Sequence, residues 1–107
     1  MASDLTAGLR VRRAASPKDR LLGLLGRVSL APDEGLVLEP CDAIHTFAMP
    51  YAIDVVFLNR AGCVLRVVTG LAPWRIAWTP GARTVIETAA GTAARLGIVP
   101  GRVLQLP

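Results

Sequence analysis

The sequence predicts an α+β fold: a mainly antiparallel, curved, barrel-like sheet of six or seven short strands, with one packed α-helix and a short helix near the C-terminus. Three observations carry this expectation. Short apolar runs recur along the chain, each bounded by Gly, Pro, Asn or Asp. Residues 16–26 combine a helix start with a helical apolar face. The 107 residues suffice for one domain with a core and are too few for two, so residues 1–107 are expected to form a single domain with 1–7 loosely ordered.

The elements follow in order. Leu9-Arg10-Val11-Arg12 alternates apolar and charged residues and predicts a first strand with its arginines in water. Ser16 supplies a capping hydroxyl, Pro17 suits the first helical position, and Leu21, Leu22, Leu24 and Leu25 make one apolar face ended by Gly26. Gly23 inside that helix costs stability relative to alanine and points to close packing on the sheet. Residues 31–35 read as a turn, and Leu36-Val37-Leu38 as a strand stopped by Pro40. Residues 41–58 read as two buried strands joined by a turn near Pro50. Gly62 then turns the chain into a strand over 63–68 that pairs with 53–59 as a hairpin. Residues 69–82, with Gly70, Pro73, Pro80 and Gly81, read as the longest loop, whose Trp74 and Trp78 either lid the core or line a pocket mouth. Residues 83–88 predict a strand carrying Glu87, 91–97 a short helix, and 102–106 a closing strand.

Composition narrows the class. Hydrophobic residues make up 52% of the chain, yet charges recur throughout and no apolar run approaches the length of a bilayer span. The N-terminus shows no basic segment followed by an apolar one, so the expected location is cytoplasmic. The net charge of +4 comes from eleven arginines and one lysine. Scattered arginines of this kind read as a solvated surface, and nucleic acid is not the expected partner. Cys41 and Cys63 form no C-x-x-C and no ligand cluster with His45, so neither a metal nor any other cofactor is expected. Two reduced core thiols are the favoured reading, with a disulfide between them left open.

The candidate site centres on residues 41–58, which hold the single histidine, His45, and a carboxylate, Asp54, set inside an apolar run. A charge there needs either an internal partner or a function, because burying it alone is costly. His45, Thr46, Met49, Asp54 and Trp74 are the candidate ligand-binding residues; Arg20, Gly23, Gly62 and Glu87 are the candidate structural ones. A two-residue loop at Pro50-Tyr51 would put His45 on the face of Asp54, whereas a three-residue loop would put Thr46 there instead. The first register is favoured, and a chain that arches without pairing here is the third possibility.

No phosphate-binding glycine loop, G-x-S-x-G or H-E-x-x-H is present. The order Arg20-x-x-Gly23-Leu24-Leu25-Gly26-Arg27, Gly35-Leu36-Val37-Leu38, Ile44-His45-Thr46-Phe47-x-Met49 and Ile53-Asp54-Val55-Val56-Phe57-Leu58, followed by Gly62, Glu87, Gly91 and Gly97, resembles the domain of unknown function 192 family over about residues 8–106. The resemblance implies a compact, mainly β domain with a helix, and implies no activity. The chain departs from the family pattern at Pro50, where a cation is common, at Ala52, where proline is common, and at Arg102, where an acid is common. The first departure puts an anion site at that turn in doubt.

The function expected from these features is a binding module for a small molecule, a peptide or a protein partner, with a pocket near His45 and Asp54. The alternatives are a small enzyme using His45 and Asp54 in acid–base chemistry, and an interaction subunit with no pocket.

Overall fold

The computed structural model describes residues 3–4, 7–14 and 30–106. Among the described residues there are eight strands, β1 (Ser3–Asp4), β2 (Arg10–Ala14), β3 (Glu34–Leu38), β4 (Ala43–His45), β5 (Ile53–Leu58), β6 (Val64–Leu71), β7 (Ile76–Trp78) and β8 (Thr84–Ala89), with one four-residue helix, α1 (Thr92–Arg95). They form a six-stranded sheet, ordered β1-β2-β3-β8-β5-β6, and a separate β4–β7 ribbon. All pairs are antiparallel except β2 with β3.

This corrects the expected fold class. The described residues are mostly β, and the sheets are open, with β1 and β6 at the edges of the larger one, so there is no barrel. The only helix among them is α1, too short to serve as a packed α layer, and the fold is not the α+β arrangement expected. The helix expected over 16–26, with Arg20 and Gly23, lies outside the described residues. The closing strand expected over 102–106 reduces to a single bridge between Cys63 and Val103.

The β5–β6 hairpin forms as the sequence predicts, with Val56 opposite Val67. Its turn is held by the Asn59 side chain, whose Oδ1 accepts the N–H groups of Ala61 at 3.0 Å and Cys63 at 2.9 Å. Gly62 has φ 84°, and a Cβ there would lie 2.5 Å from the Leu104 carbonyl oxygen, so glycine is required both for conformation and for space.

β5 is buried along its whole length, as befits a strand paired on both edges and covered on both faces. Its alternate residues feed two cores. Val56 and Leu58 join Val37 and Ile86 on one face, closed by Ala93, Ile98 and Leu104 from α1 and the segment after it. Ile53, Val55 and Phe57 join Leu36 and Val85 on the other, closed by Leu30, Met49 and the inward residues of the ribbon, Ile44 and Ala77. Glu87 is buried on this second face, opposite Leu36 and Val55 in register. Arg102 anchors the C-terminal segment by donating from Nη1 to the carbonyls of Leu96 at 2.7 Å and Gly97 at 3.0 Å, just beyond the end of α1.

Cys41 and Cys63 are each half-buried and not bonded to one another. No helix among the described residues is long and apolar enough to cross a membrane.

Candidate functional site

The hairpin that would bring His45 to Asp54 does not form. Both edges of β5 are taken by β6 and β8, so β4 pairs instead with β7, with Ala43 opposite Trp78 and His45 opposite Ile76. Asp54 shares the parity of Val56 and points toward the α1 side of the sheet, whereas His45 points outward from the ribbon that covers the opposite side. The two candidate residues are therefore separated by the sheet itself and cannot act as an acid–base pair.

Asp54 is fully buried, and its partners are all backbone N–H groups. Oδ1 accepts from Gly70 at 2.8 Å, and Oδ2 from Gly91 and Ala93 at 3.0 Å each. Gly91, the N-cap of α1, has no side-chain cap of its own. Asp54 supplies the missing acceptor from across the fold, satisfying the orphan donors of the helix start.

Thr46 is equally buried and organises the other side. Its hydroxyl donates to the Ala72 carbonyl at 2.7 Å and accepts the Arg75 N–H at 2.9 Å, while its backbone carbonyl accepts the Trp74 N–H at 2.9 Å. These bonds clamp residues 72–75 against the end of β4. Trp74 is held there in a left-handed conformation, φ 64°, which is unusual for a bulky residue. Its ring stacks on Phe47 with centroids 5.8 Å apart, and Phe47 stacks on His45 at 4.7 Å. His45 Nδ1 accepts the Phe47 N–H at 3.3 Å, which fixes the imidazole beside the next ring. Met49 is buried in the core beneath the ribbon.

The sequence-predicted residues thus fall into two groups. Thr46, Met49 and Asp54 are interior, whereas His45 and Trp74 belong to an exposed face with Trp78, which the sequence offered beside Trp74 as a core lid or pocket-mouth residue, and with two residues not singled out as ligand contacts: Phe47 and Ile76. Trp74, Ile76 and Trp78 are 63%, 67% and 56% exposed. The signal was present in Trp74-Arg75-Ile76-Ala77-Trp78, where large apolar residues recur at period two inside what reads as a loop. An arginine stands at each end of the row: Arg75 donates from Nη1 to the Trp74 carbonyl at 3.3 Å, and Arg66, on β6, donates to the Trp78 carbonyl at 3.2 Å.

Charge is unevenly distributed about this face. Arg10–Asp33, Arg12–Glu34 and Arg13–Glu39 form ion pairs, each made by an arginine of β2. Arg66 and Arg75 are in none of these pairs, and among the described residues no carboxylate is paired with either. An open polar groove of about 560 Å³, lined by Arg13, Glu39, Arg60 and Thr84 among others, shares no residue with the aromatic face. Among the described residues no cluster of His, Cys, Asp and Glu could hold a metal ion.

Fold and surface define a small open-sheet β domain that carries an exposed aromatic row on a two-stranded ribbon. The chain belongs to the domain of unknown function 192 family, described as uncharacterised ACR, whose model matches residues 2–106. Among solved structures it is similar to a protein of unknown function from Novosphingobium aromaticivorans DSM 12444, with TM-score 0.79, 24% identity, and 94% of this chain and 79% of that one covered. It is also similar to a protein from Sinorhizobium meliloti 1021 described as a candidate transcription regulator, with TM-score 0.78, 27% identity, and 91% and 81% covered. No curated protein matches the chain.

Proposed function

We propose that this domain is a binding module whose recognition face is the outer side of the β4–β7 ribbon, with His45, Phe47, Trp74, Ile76 and Trp78 as contact residues. The observation that carries this reading is Trp74, whose indole is 63% exposed while its backbone is held in the left-handed region. Such a conformation costs on the order of 1–3 kcal/mol, which stacking on Phe47 offsets only in part while the rest of the indole stays in water. A rigid, solvent-facing row of large apolar side chains is the usual mark of an interaction surface. Thr46 supports it by clamping the 72–75 turn, and Met49 by filling the core below. The similarity to a candidate transcription regulator is compatible with binding, which regulation requires. Catalysis by His45 with Asp54 is not part of this reading.

The test is a two-dimensional amide NMR titration of the full chain with three unlike probes: a short oligothymidylate, a glutamate-rich peptide and a cello-oligosaccharide. At least one probe is expected to shift the resonances of residues 43–48 and 74–79, and Trp74→Ala to remove the shifts. Shifts confined to other surfaces, such as the Arg60 groove, or no response to any probe, would overturn the proposal.

A further inference from the structure

We infer that the ligand of this face is a single-stranded nucleic acid, a conclusion that rests on the binding-face reading above and names its partner. Two independent features of the ribbon converge on it. The first is stacking: His45, Phe47 and Trp74 already form a column of rings inclined by only 25° and 24° to one another. The column ends on Trp74, whose exposed indole can take the next flat ring. Base-on-aromatic stacking is the general device by which single strands are held, and it tolerates any base because every base has a π-face.

The second feature is charge. Asp33, Glu34 and Glu39 engage the arginines of β2, while Arg66 and Arg75 flank the aromatic row with one N–H each committed to a carbonyl and outnumber Asp42, the exposed acid just before β4. Guanidinium groups at both ends of a stacking row suit a chain that carries an anion between successive rings. The scattered arginines and net charge of +4 do not by themselves point to nucleic acid; the placement of Arg66 and Arg75 beside Trp78 and Trp74 is what does so here.

Other occupants fit less well. A second copy docked through this face by a two-fold axis would bring Arg66 and Arg75 of each copy together against only the exposed Asp42 that precedes β4 in each, leaving a surplus of positive charge. An acidic peptide answers the charge but not the stacked rings. Duplex DNA hides its ring faces, and the outward residues of the ribbon, Ala43, His45, Ile76 and Trp78, include no arginine, asparagine or glutamine placed to read base edges.

The experiment is fluorescence anisotropy of a labelled twelve-nucleotide oligothymidylate with the full chain, alongside the same strand in a duplex, and heparin as a polyanion without bases. The single strand is expected to bind, to quench tryptophan emission and to outcompete both duplex and heparin. Trp74→Ala and Trp78→Ala, checked for folding by circular dichroism, should each weaken binding by roughly 5- to 150-fold, the range for one stacked base. Arg66→Gln and Arg75→Gln should each reduce the log–log salt slope by about 0.7. Binding that heparin matches and that both tryptophan variants retain would overturn the inference, since charge alone would explain it. So would no binding of the strand: if the glutamate-rich peptide or the oligosaccharide then shifts residues 43–48 and 74–79, only the ligand class has failed, and if no probe does, the binding face has failed with it.

Discussion

Asp54 accepts a hydrogen bond from the Gly91 N–H at 3.0 Å across 37 residues of sequence, and with it caps a helix that has no capping side chain of its own. Two further backbone donors, Gly70 and Ala93, converge on the same buried carboxylate. Hydrogen bonds to a charged group contribute about 1.5–3 kcal/mol each, and a stranded buried donor costs about 1–3 kcal/mol. Asp54→Ala, which strands all three, is expected to lose at least about 3 kcal/mol in urea unfolding. Asp54→Asn, which keeps one acceptor oxygen, should lose less, about 1.5–3 kcal/mol. A loss below about 0.5 kcal/mol for the alanine variant, the scale of surface changes, would show that the carboxylate does not hold α1 in place.

Gly62 and Gly91 separate two costs that glycine substitutions usually mix. Both have positive φ, 84° and 92°, but only Gly62 would drive a Cβ to 2.5 Å from a backbone oxygen, whereas Gly91 has nothing within 4 Å. Gly91→Ala should cost only the conformational penalty, about 1–2 kcal/mol. Gly62→Ala should cost clearly more, because the Leu104 carbonyl it meets also belongs to the segment that bonds back to Gly62. Equal losses in thermal or urea unfolding would mean that the C-terminal segment is not seated as described.

Trp74→Gly should cost little stability although it removes an indole. Relief of the left-handed strain, about 1–2 kcal/mol, offsets the stacking on Phe47, worth about 0.5–1.5 kcal/mol, so the net change should stay within about 1 kcal/mol. Trp78→Gly, made inside β7, has no strain to relieve and is expected to destabilise. If Trp74→Gly proves the more damaging of the two by chemical denaturation, Trp74 is held for stability rather than for binding.

The hydrogen bond from Arg10 holds the Asp33 carboxyl below its ordinary value of 3.8, with the Arg10 charge acting in the same direction. A carboxylate depressed in the folded state contributes stability that is present above its unfolded value and is lost as pH falls through the folded one. Both side chains are about half exposed, so the effect belongs to acid pH and should shrink in salt. A carbon-detected NMR titration should place the Asp33 midpoint below 3.8 and should find it raised in Arg10→Gln. An unchanged midpoint in that variant would remove Arg10 as the cause.

The strands of this protein were legible in its sequence to the extent that they are local. Alternation along 9–12, apolar runs over 36–38 and 53–58, and the Asn59 to Gly62 turn located β2, β3, β5 and the β5–β6 hairpin, because period-two patterning and turn chemistry act between near neighbours. The sequence also marked Asp54 as a carboxylate in need of partners. It could not name them, since the donors come from 16, 37 and 39 residues away. Nor could it pair β4, whose partner lies beyond β6 and is available only because β5 is saturated on both edges. Alternation states which residues share a side of a strand, but not which side meets water. That depends on the layers packed above it, and here the tertiary structure buried Thr46 and Asp54 while leaving Phe47, Trp74, Ile76 and Trp78 exposed on the ribbon's outer face.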